Sequence, residues 1–231
     1  PPKPDLETIA GRVAKLPLIA EPGTRWSYSI SLDLLGRVIE VASGMEFDAF
    51  LKARLFDPLK MTSSYFQVPA AETKRFVTNY APANGILFPI DTGASSIYLD
   101  KPAFAFGGAG LVCSAHDYDR FLHMLQNGGE LDGARVMAPE TAALAMSDLL
   151  PSGIKTEGTF IAGAGNGAGG RVGKGAFEGT FGWGGAAGTV AFVDTRRKVR
   201  AVCMAQYVPS NVYPFHEEFA QWVLADLGIK A

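Results

Sequence analysis

Apolar residues recur along this chain with a helical period in some stretches and cluster or alternate in others. The first helical stretch, Leu6–Leu16, is short and amphipathic. Ser31 is predicted as the N-cap of a second helix, which Gly44 ends. Apolar residues cover most of the circumference of this second helix, so we expect it to be deeply buried. A third helix, Glu46–Leu55, follows almost at once.

The middle of the chain has a less regular pattern. Over Ser63–Phe106, short extended pieces are interrupted by proline and glycine. Two further helices are predicted over Asp117–Gln126 and Pro139–Leu149, and the second begins with a proline, which suits a first helical turn. The glycine-rich segment Ser152–Gly179 has no helical period, and we expect one or two strands with a loose loop.

The C-terminal part has the clearest pattern. Two extended apolar runs, Thr189–Val193 and Val199–Tyr207, flank the polar turn Asp194–Lys198, which is typical of a β-hairpin. A last helix, Pro214–Leu227, is predicted to have an inner face formed by Phe215, Phe219, Trp222 and Val223. This order of elements predicts an α+β fold in which helices cover an antiparallel sheet.

Composition excludes several classes of protein. The 231 residues are 48% hydrophobic with a formal charge of −2, as expected of a folded chain of one or two domains. No basic run is typical of nucleic-acid binding, and no apolar stretch approaches the roughly 20 residues that cross a bilayer. Cys113 and Cys203 are far apart and without a CxxC partner, so we expect two buried free thiols. With three isolated histidines, a zinc site has little support.

Two short motifs match known sites in spacing but lack the required context. Gly165, Gly167 and Gly170 are spaced as in a dinucleotide-binding loop, yet no helix is predicted after them, so we expect a flexible loop. Ser152 and Lys155 have the S-x-x-K spacing, which places a serine and a lysine on one face of a helix. They lie in the glycine-rich segment, so we interpret this match as coincidental.

Two other segments indicate chemistry only in combination. Taken alone, the tyrosine in Glu21–Gly44 is more typical of a residue that packs before a helix. The Trp-Gly-Gly sequence in Gly179–Asp194, taken alone, is more typical of a β-bulge or of a close approach between two backbones. Together with Phe47–Ser64, Gly107–Gly129 and the terminal helix, they resemble the serine β-lactamase and penicillin-binding protein superfamily. The branch that they resemble is that of the class C β-lactamases and the family VIII esterases. The resemblance covers nearly the whole chain.

This resemblance implies a role for Tyr28. It occupies the tyrosine of the family's Y-x-N-type motif, which exchanges a proton with the nucleophilic serine and the leaving group. The motif reads Tyr28-Ser29-Ile30 in this chain, so Ile30 stands at the substrate-binding position where β-lactamases have a polar residue that holds a substrate amide. Esterase relatives tolerate this replacement better.

The resemblance also implies an oxyanion strand. Trp183, Gly184 and Gly185 occupy the substrate-binding position of the K-T-G strand of β-lactamases and peptidases, and the backbone N–H of Ala186 would then form one half of the oxyanion hole. Glycine would let the substrate lie close enough for that N–H to reach the developing oxyanion. The resemblance implies no metal and no cofactor.

Tryptophan in place of the strand lysine changes the expected chemistry. A tyrosine ordinarily has a pKa of about 10, so a phenolate at pH 7 needs roughly 4 kcal/mol of stabilisation, which neighbouring cations normally supply. Trp183 removes one such cation, and we therefore expect Tyr28 to act as a neutral relay paired with one lysine. The loss of this charge also removes a partner for a β-lactam carboxylate, which favours neutral acyl esters as substrates.

The nucleophile itself is expected outside this sequence. In the superfamily the S-x-x-K helix precedes the tyrosine motif, but no serine before Tyr28 is followed by lysine at that spacing. We interpret the chain, which starts PPKPDLE, as the C-terminal portion of one catalytic domain, with a helical part over residues 1–150 and the sheet and terminal helix over residues 151–231. These residues alone should be inactive as a hydrolase. Their expected partner is the upstream S-x-x-K segment of the same protein, which would supply the nucleophile. Nothing in it predicts a cellular compartment.

Several functions stay open at this point. The first is a serine hydrolase that cleaves acyl esters through an acyl-enzyme. A β-lactamase, a D-alanyl carboxypeptidase or an acyltransferase of the same fold would differ in substrate or in the acceptor of the acyl group. A non-catalytic domain that binds a ligand or a partner is the remaining alternative. An upstream S-x-x-K helix would favour the enzymes, because a binding domain has no need of it.

Overall fold

The computed structural model describes residues 3–229 and has an α+β architecture. The α-helices of this part are α1 Leu6–Val13, α2 Ser31–Ser43, α3 Phe47–Leu51, α4 Ala115–Gln126, α5 Pro139–Ala145 and α6 Phe215–Asp226. The strands are β1 Ser64–Tyr65, β2 Asn79–Ala83, β3 Ile86–Asp91, β4 Val112–Cys113, β5 Glu130–Leu131, β6 Ala134–Arg135, β7 Gly165–Asn166, β8 Arg171–Val172, β9 Thr180–Gly184, β10 Thr189–Asp194 and β11 Val199–Met204.

A five-stranded antiparallel sheet forms the centre of the fold, in the order β11-β10-β9-β8-β7. Residues that pair directly across two antiparallel strands have their side chains on the same face of the sheet. Trp183 pairs with Ala191, and Phe181 with Val193, so these four residues share one face. Because side chains alternate along a strand, Gly184 belongs to the opposite face.

Helices cover both faces of this sheet. On the Trp183 face, Asp119 of α4 accepts a hydrogen bond of 2.7 Å from the Arg200 Nε of β11. On the opposite face, Phe219 of α6 packs against Phe192 with ring centroids 6.0 Å apart. The main core lies on the α4 face and consists of Phe56, Leu59, Met61, Leu122, Met124, Leu125, Leu131, Phe181, Ala191 and Val193. The predicted arrangement of helices over an antiparallel sheet is therefore confirmed.

The prediction that the second helix is deeply buried is wrong. Of the residues of α2, Gly36 is the buried one, whereas Leu35 is 50% and Val41 70% exposed. A Cβ added to Gly36 would lie 3.3 Å from Leu6 and 3.4 Å from Phe47, so α1 and α3 pack closely along this line of the helix. Within residues 3–229, the opposite side has no comparable cover.

Helix ends also differ from the prediction. The N-cap of α2 is the residue before Ser31, and Ser31 is the first helical residue. Helix α1 ends at Val13, which leaves Leu16 65% exposed, and α5 ends at Ala145. On α6, Trp222 is half exposed rather than internal, and Leu224 is fully buried. Period alone locates helices but does not set their ends, which depend on capping and local contacts.

The glycine-rich segment contains two short strands, as expected, but Gly165, Gly167 and Gly170 are packed against the fold and do not form the expected flexible loop. Strands β7 and β8 pair here, and Gly165, Gly167 and Gly170 are all buried. A Cβ at Gly170 would lie 2.5 Å from the ring of Phe181, so the turn between the two strands requires glycine here to pack on the core. Ser152 lies in a turn and not in a helix, which confirms that its spacing to the following lysine is coincidental.

Both cysteines are free, as expected, and both are partly rather than fully buried. Burial raises the pKa of the Cys113 thiol to about 11, and the negative charge of Asp117 adds to the increase. At pH 8 this leaves on the order of one thiolate in a thousand at Cys113.

We expect iodoacetamide at pH 8 to label Cys113 slowly in the folded protein and rapidly in urea, because the thiolate is the reacting species. Peptide mass spectrometry with the reagent in excess would measure both rates. Equal labelling rates of Cys113 in the folded and unfolded protein would contradict the assignment.

Within residues 3–229 no helix combines the length and the apolar character needed to span a membrane. In the same part of the chain, no three His, Cys, Asp or Glu side chains are grouped so that they could hold a metal ion.

Candidate active site

The fold brings together two residues from different sequence motifs. Tyr28 lies in the loop before α2, and Trp183 lies on β9. Their rings stack nearly parallel, with centroids 5.9 Å apart and an angle of 7° between the planes. Tyr28 is 54% exposed, so one side of the stack faces solvent in this chain.

Two further aromatic residues, neither of them predicted from the sequence, surround Tyr28. Phe160 approaches edge-on with its ring centroid 5.3 Å away, and Trp26 is tilted at 6.4 Å. Phe160 is 71% exposed. A signal was available in the sequence, since Phe160 is the lone aromatic residue between Ser152 and Ala176.

The Tyr28 hydroxyl has no hydrogen-bond partner in the described part of the chain. The tyrosine hydroxyls that donate there are those of Tyr65, to a backbone oxygen at 2.5 Å, and Tyr207, to another at 3.3 Å. The ring of Tyr28 is thus held by aromatic contacts, and its hydroxyl is available to another group.

Ala186 lies in the tight turn that connects β9 to β10. The N–H of Gly188 donates to the carbonyl oxygen of Gly185 at 3.1 Å, and the N–H of Gly185 donates to Thr189 at 2.7 Å. For residues 3–229, no hydrogen bond from the Ala186 N–H is found. The second residue of such a turn normally keeps its N–H unpaired, which leaves this donor available.

Protein atoms face both glycines of the strand end. A Cβ at Gly184 would lie 2.6 Å from Nδ1 of His216, and one at Gly185 would lie 2.2 Å from Oγ1 of Thr189. Internal packing therefore requires glycine at both positions, a reason different from the expected close approach of a substrate. Ile30 is partly buried at the start of α2, two residues after Tyr28.

Comparison with known proteins identifies the family of this chain. The profile of the family described as Beta-lactamase matches residues 1–225. The chain belongs to the beta-lactamase family. The superfamily resemblance expected from the sequence is confirmed by this match.

Proteins similar to this chain include an esterase and a hydrolase, and a penicillin-binding protein homologue shares its fold. Esterase EstB of Burkholderia gladioli is 34% identical over 171 residues, a match that covers 67% of this chain and 41% of EstB. The solved structure of EstCE1, described as a hydrolase with promiscuous acyltransferase activity, superposes with a TM-score of 0.78 at 26% identity, covering 92% of this chain and 59% of EstCE1. An octameric penicillin-binding protein homologue from Pyrococcus abyssi has the same fold, with a TM-score of 0.74 at 20% identity over 100% of this chain and 49% of the homologue.

This member of the beta-lactamase family thus spans well under two thirds of each of these relatives. In the described residues, its candidate site consists of a stacked tyrosine and tryptophan beside a turn with a free amide donor. Tyr28, before α2, thus stacks on Trp183 of β9, and Ala186 lies three residues after Trp183 in the turn that follows β9.

Proposed function

We propose that this chain supplies Tyr28 and the Ala186 amide to a serine hydrolase that cleaves acyl esters through an acyl-enzyme. The observation that supports the proposal is the stack of Tyr28 on Trp183, because the sequence resemblance aligns this indole with the lysine of the K-T-G strand of β-lactamases. The description of EstB as an esterase and of EstCE1 as a hydrolase with acyltransferase activity supports an acyl ester as the substrate.

The proposed reaction begins with a serine and a lysine that lie upstream of this chain. The serine oxygen attacks the ester carbonyl and its proton passes to the lysine, while the carbonyl oxygen becomes negative and accepts a hydrogen bond from the Ala186 N–H. The C–O bond to the alcohol then breaks, and the alcohol leaves with the proton of the Tyr28 hydroxyl. The lysine returns a proton to Tyr28.

Water completes the proposed cycle. It attacks the acyl-enzyme, loses a proton to the same relay and releases the carboxylic acid and the free serine. Throughout, Tyr28 stays neutral except during transfer. Its aromatic neighbours support this role, since Trp26, Phe160 and Trp183 carry no charge that would stabilise a phenolate.

The test is a pair of assays on the full-length protein, with p-nitrophenyl butyrate and a chromogenic cephalosporin side by side. We expect hydrolysis of the ester, with a kcat/KM at least tenfold above that for the cephalosporin. Faster turnover of the cephalosporin would make the protein a β-lactamase. An absence of turnover with both substrates would favour a binding domain instead.

We further expect Trp183→Lys to shift specificity towards carboxylated β-lactams. A new ammonium group can pair with the substrate carboxylate, and hydrogen bonds to charged groups contribute about 1.5–3 kcal/mol, so the cephalosporin-to-ester ratio of kcat/KM should rise about tenfold or more. Trp183→Phe is the matched control, because it removes the indole without adding charge. An unchanged ratio in Trp183→Lys would count against the proposed role of this position.

A further inference from the structure

His216 lies directly behind the end of the candidate oxyanion strand. It is in the first turn of α6, on the sheet face opposite to Trp183. Atoms of its ring are the three nearest to a Cβ built on Gly184, at 2.6, 2.9 and 3.0 Å. Its Nε2 is buried and has no hydrogen-bond partner within residues 3–229. Packing against the strand, rather than hydrogen bonding, therefore holds this imidazole in place.

Backbone conformation does not explain the glycine at position 184. Gly184 is absent from the residues with positive φ, unlike Gly188, whose φ is 77°. A side chain at Gly184 is thus compatible with the backbone, and the obstacle to it is the ring of His216. The contact between these two residues sets the distance between α6 and the end of β9.

Tyr207 supports the same turn from a second point. Its N–H donates to the carbonyl oxygen of Ala187 at 3.0 Å, and its ring lies 2.5 Å from where a Cβ on Gly188 would stand. Tyr207 in turn packs against Tyr213, with ring centroids 5.3 Å apart. The segment from Tyr207 to His216 therefore contacts both ends of the turn that contains Ala186.

We propose that the segment 207–216 braces the turn Gly185–Gly188 from behind, with His216 as a positioning residue that fixes the end of β9 and so the Ala186 N–H. This inference rests on the proposed function, because it is the oxyanion role of the amide that makes its position matter. His216 is not a catalytic residue, since it lies on the sheet face away from Tyr28 and its free nitrogen is enclosed.

The test is a double-mutant cycle on Gly184→Ala and His216→Ala in the full-length protein. In Gly184→Ala the new methyl group collides with the imidazole and displaces the turn. We expect kcat for p-nitrophenyl butyrate to fall about tenfold to a hundredfold, while KM changes less than about threefold. This decrease in kcat is smaller than that seen when an oxyanion donor is removed altogether, because the donor is displaced and not lost. His216→Ala alone should lower kcat by no more than about threefold, because it removes the support without causing a collision. In the double variant the space left by the ring accepts the methyl group, and kcat should return to the level of His216→Ala.

His116→Ala is the matched control, because His116 is an exposed histidine on another helix. It should leave kcat unchanged. Wild-type kcat in Gly184→Ala, or a double variant as slow as Gly184→Ala, would overturn the inference.

A second measurement separates this inference from the proposed function. The near-ultraviolet circular dichroism of Trp183, assigned with Trp183→Phe, reports the strand end without any turnover. We expect Gly184→Ala to change this signal and the double variant to restore it. If the protein hydrolyses no ester but the double variant restores the circular-dichroism signal, the proposed function is refuted and the proposed role of segment 207–216 is supported. An unchanged signal in Gly184→Ala would refute the brace even in an active enzyme.

Discussion

Replacement of Tyr28 by phenylalanine is expected to lower kcat for p-nitrophenyl butyrate by about 10²–10⁴-fold in the full-length protein, the usual contribution of a positioned proton donor. Phenylalanine keeps the ring that stacks on Trp183 and loses only the hydroxyl, which has no partner within the described chain. The substrate site should therefore keep its shape, and KM should change little. Steady-state kinetics at saturating ester would measure the loss.

Tyr98→Phe is a suitable control for this experiment. Tyr98 is partly buried and packs edge-on against Phe76, remote in sequence from both site segments, so the loss of its hydroxyl should leave kcat within about twofold. If Tyr28→Phe retained full activity on both the ester and the cephalosporin, Tyr28 would have no role in proton transfer.

The largest effect on stability is expected from Asp194→Ala. Asp194 ends β10 and is fully buried. Its Oδ1 accepts the N–H groups of Arg196 at 3.0 Å and Arg197 at 2.8 Å, and its Oδ2 pairs with the guanidinium of Arg197 at 2.7 Å. Alanine would leave both amides and the guanidinium without this acceptor. Removing one partner of a buried pair costs about 3–5 kcal/mol, and the partial exposure of Arg197 favours the lower end of that range.

Urea unfolding followed by circular dichroism would measure this loss as a decrease in midpoint at constant slope. Asp194→Asn should be intermediate, because the amide oxygen can still accept from the turn while the charge is lost. Asp226→Ala, at the exposed end of α6, is the matched control and should change the free energy of unfolding by less than about 0.5 kcal/mol. A loss below about 1 kcal/mol in Asp194→Ala would show that the turn forms without this carboxylate.

Local sequence patterns determined most of the elements. The period of apolar residues placed the helices now described as α2, α4 and α6, and two apolar runs around a polar turn placed the hairpin of β10 and β11. These features are local, because the spacing of apolar residues within one element decides which of its faces can be buried. The segments around Tyr28 and Trp183, combined with Phe47–Ser64, Gly107–Gly129 and the terminal helix, predict the superfamily that the match over residues 1–225 confirms.

Sequence patterns could not show which neighbours cover each face. The apolar residues of α2 predicted burial, yet Val41 is 70% exposed, because burial depends on partners that are distant in the chain. Gly165, Gly167 and Gly170 were taken for a loose loop, although they form a packed hairpin. In each case the sequence shows the apolar character or the conformational freedom of a residue, but it does not show which other residues pack against it.

The candidate site also combines features that the sequence predicts with features that only the tertiary structure shows. The sequence by itself predicts, through the family resemblance, that Tyr28 and the Trp-Gly-Gly strand belong to one site. Only the tertiary structure decided that Phe160 packs on Tyr28 and that His216 occupies the space behind Gly184. The physical reason is that a glycine is required wherever another group takes the volume of a side chain, and that group is brought there by the packing of α6 on the sheet rather than by any local spacing.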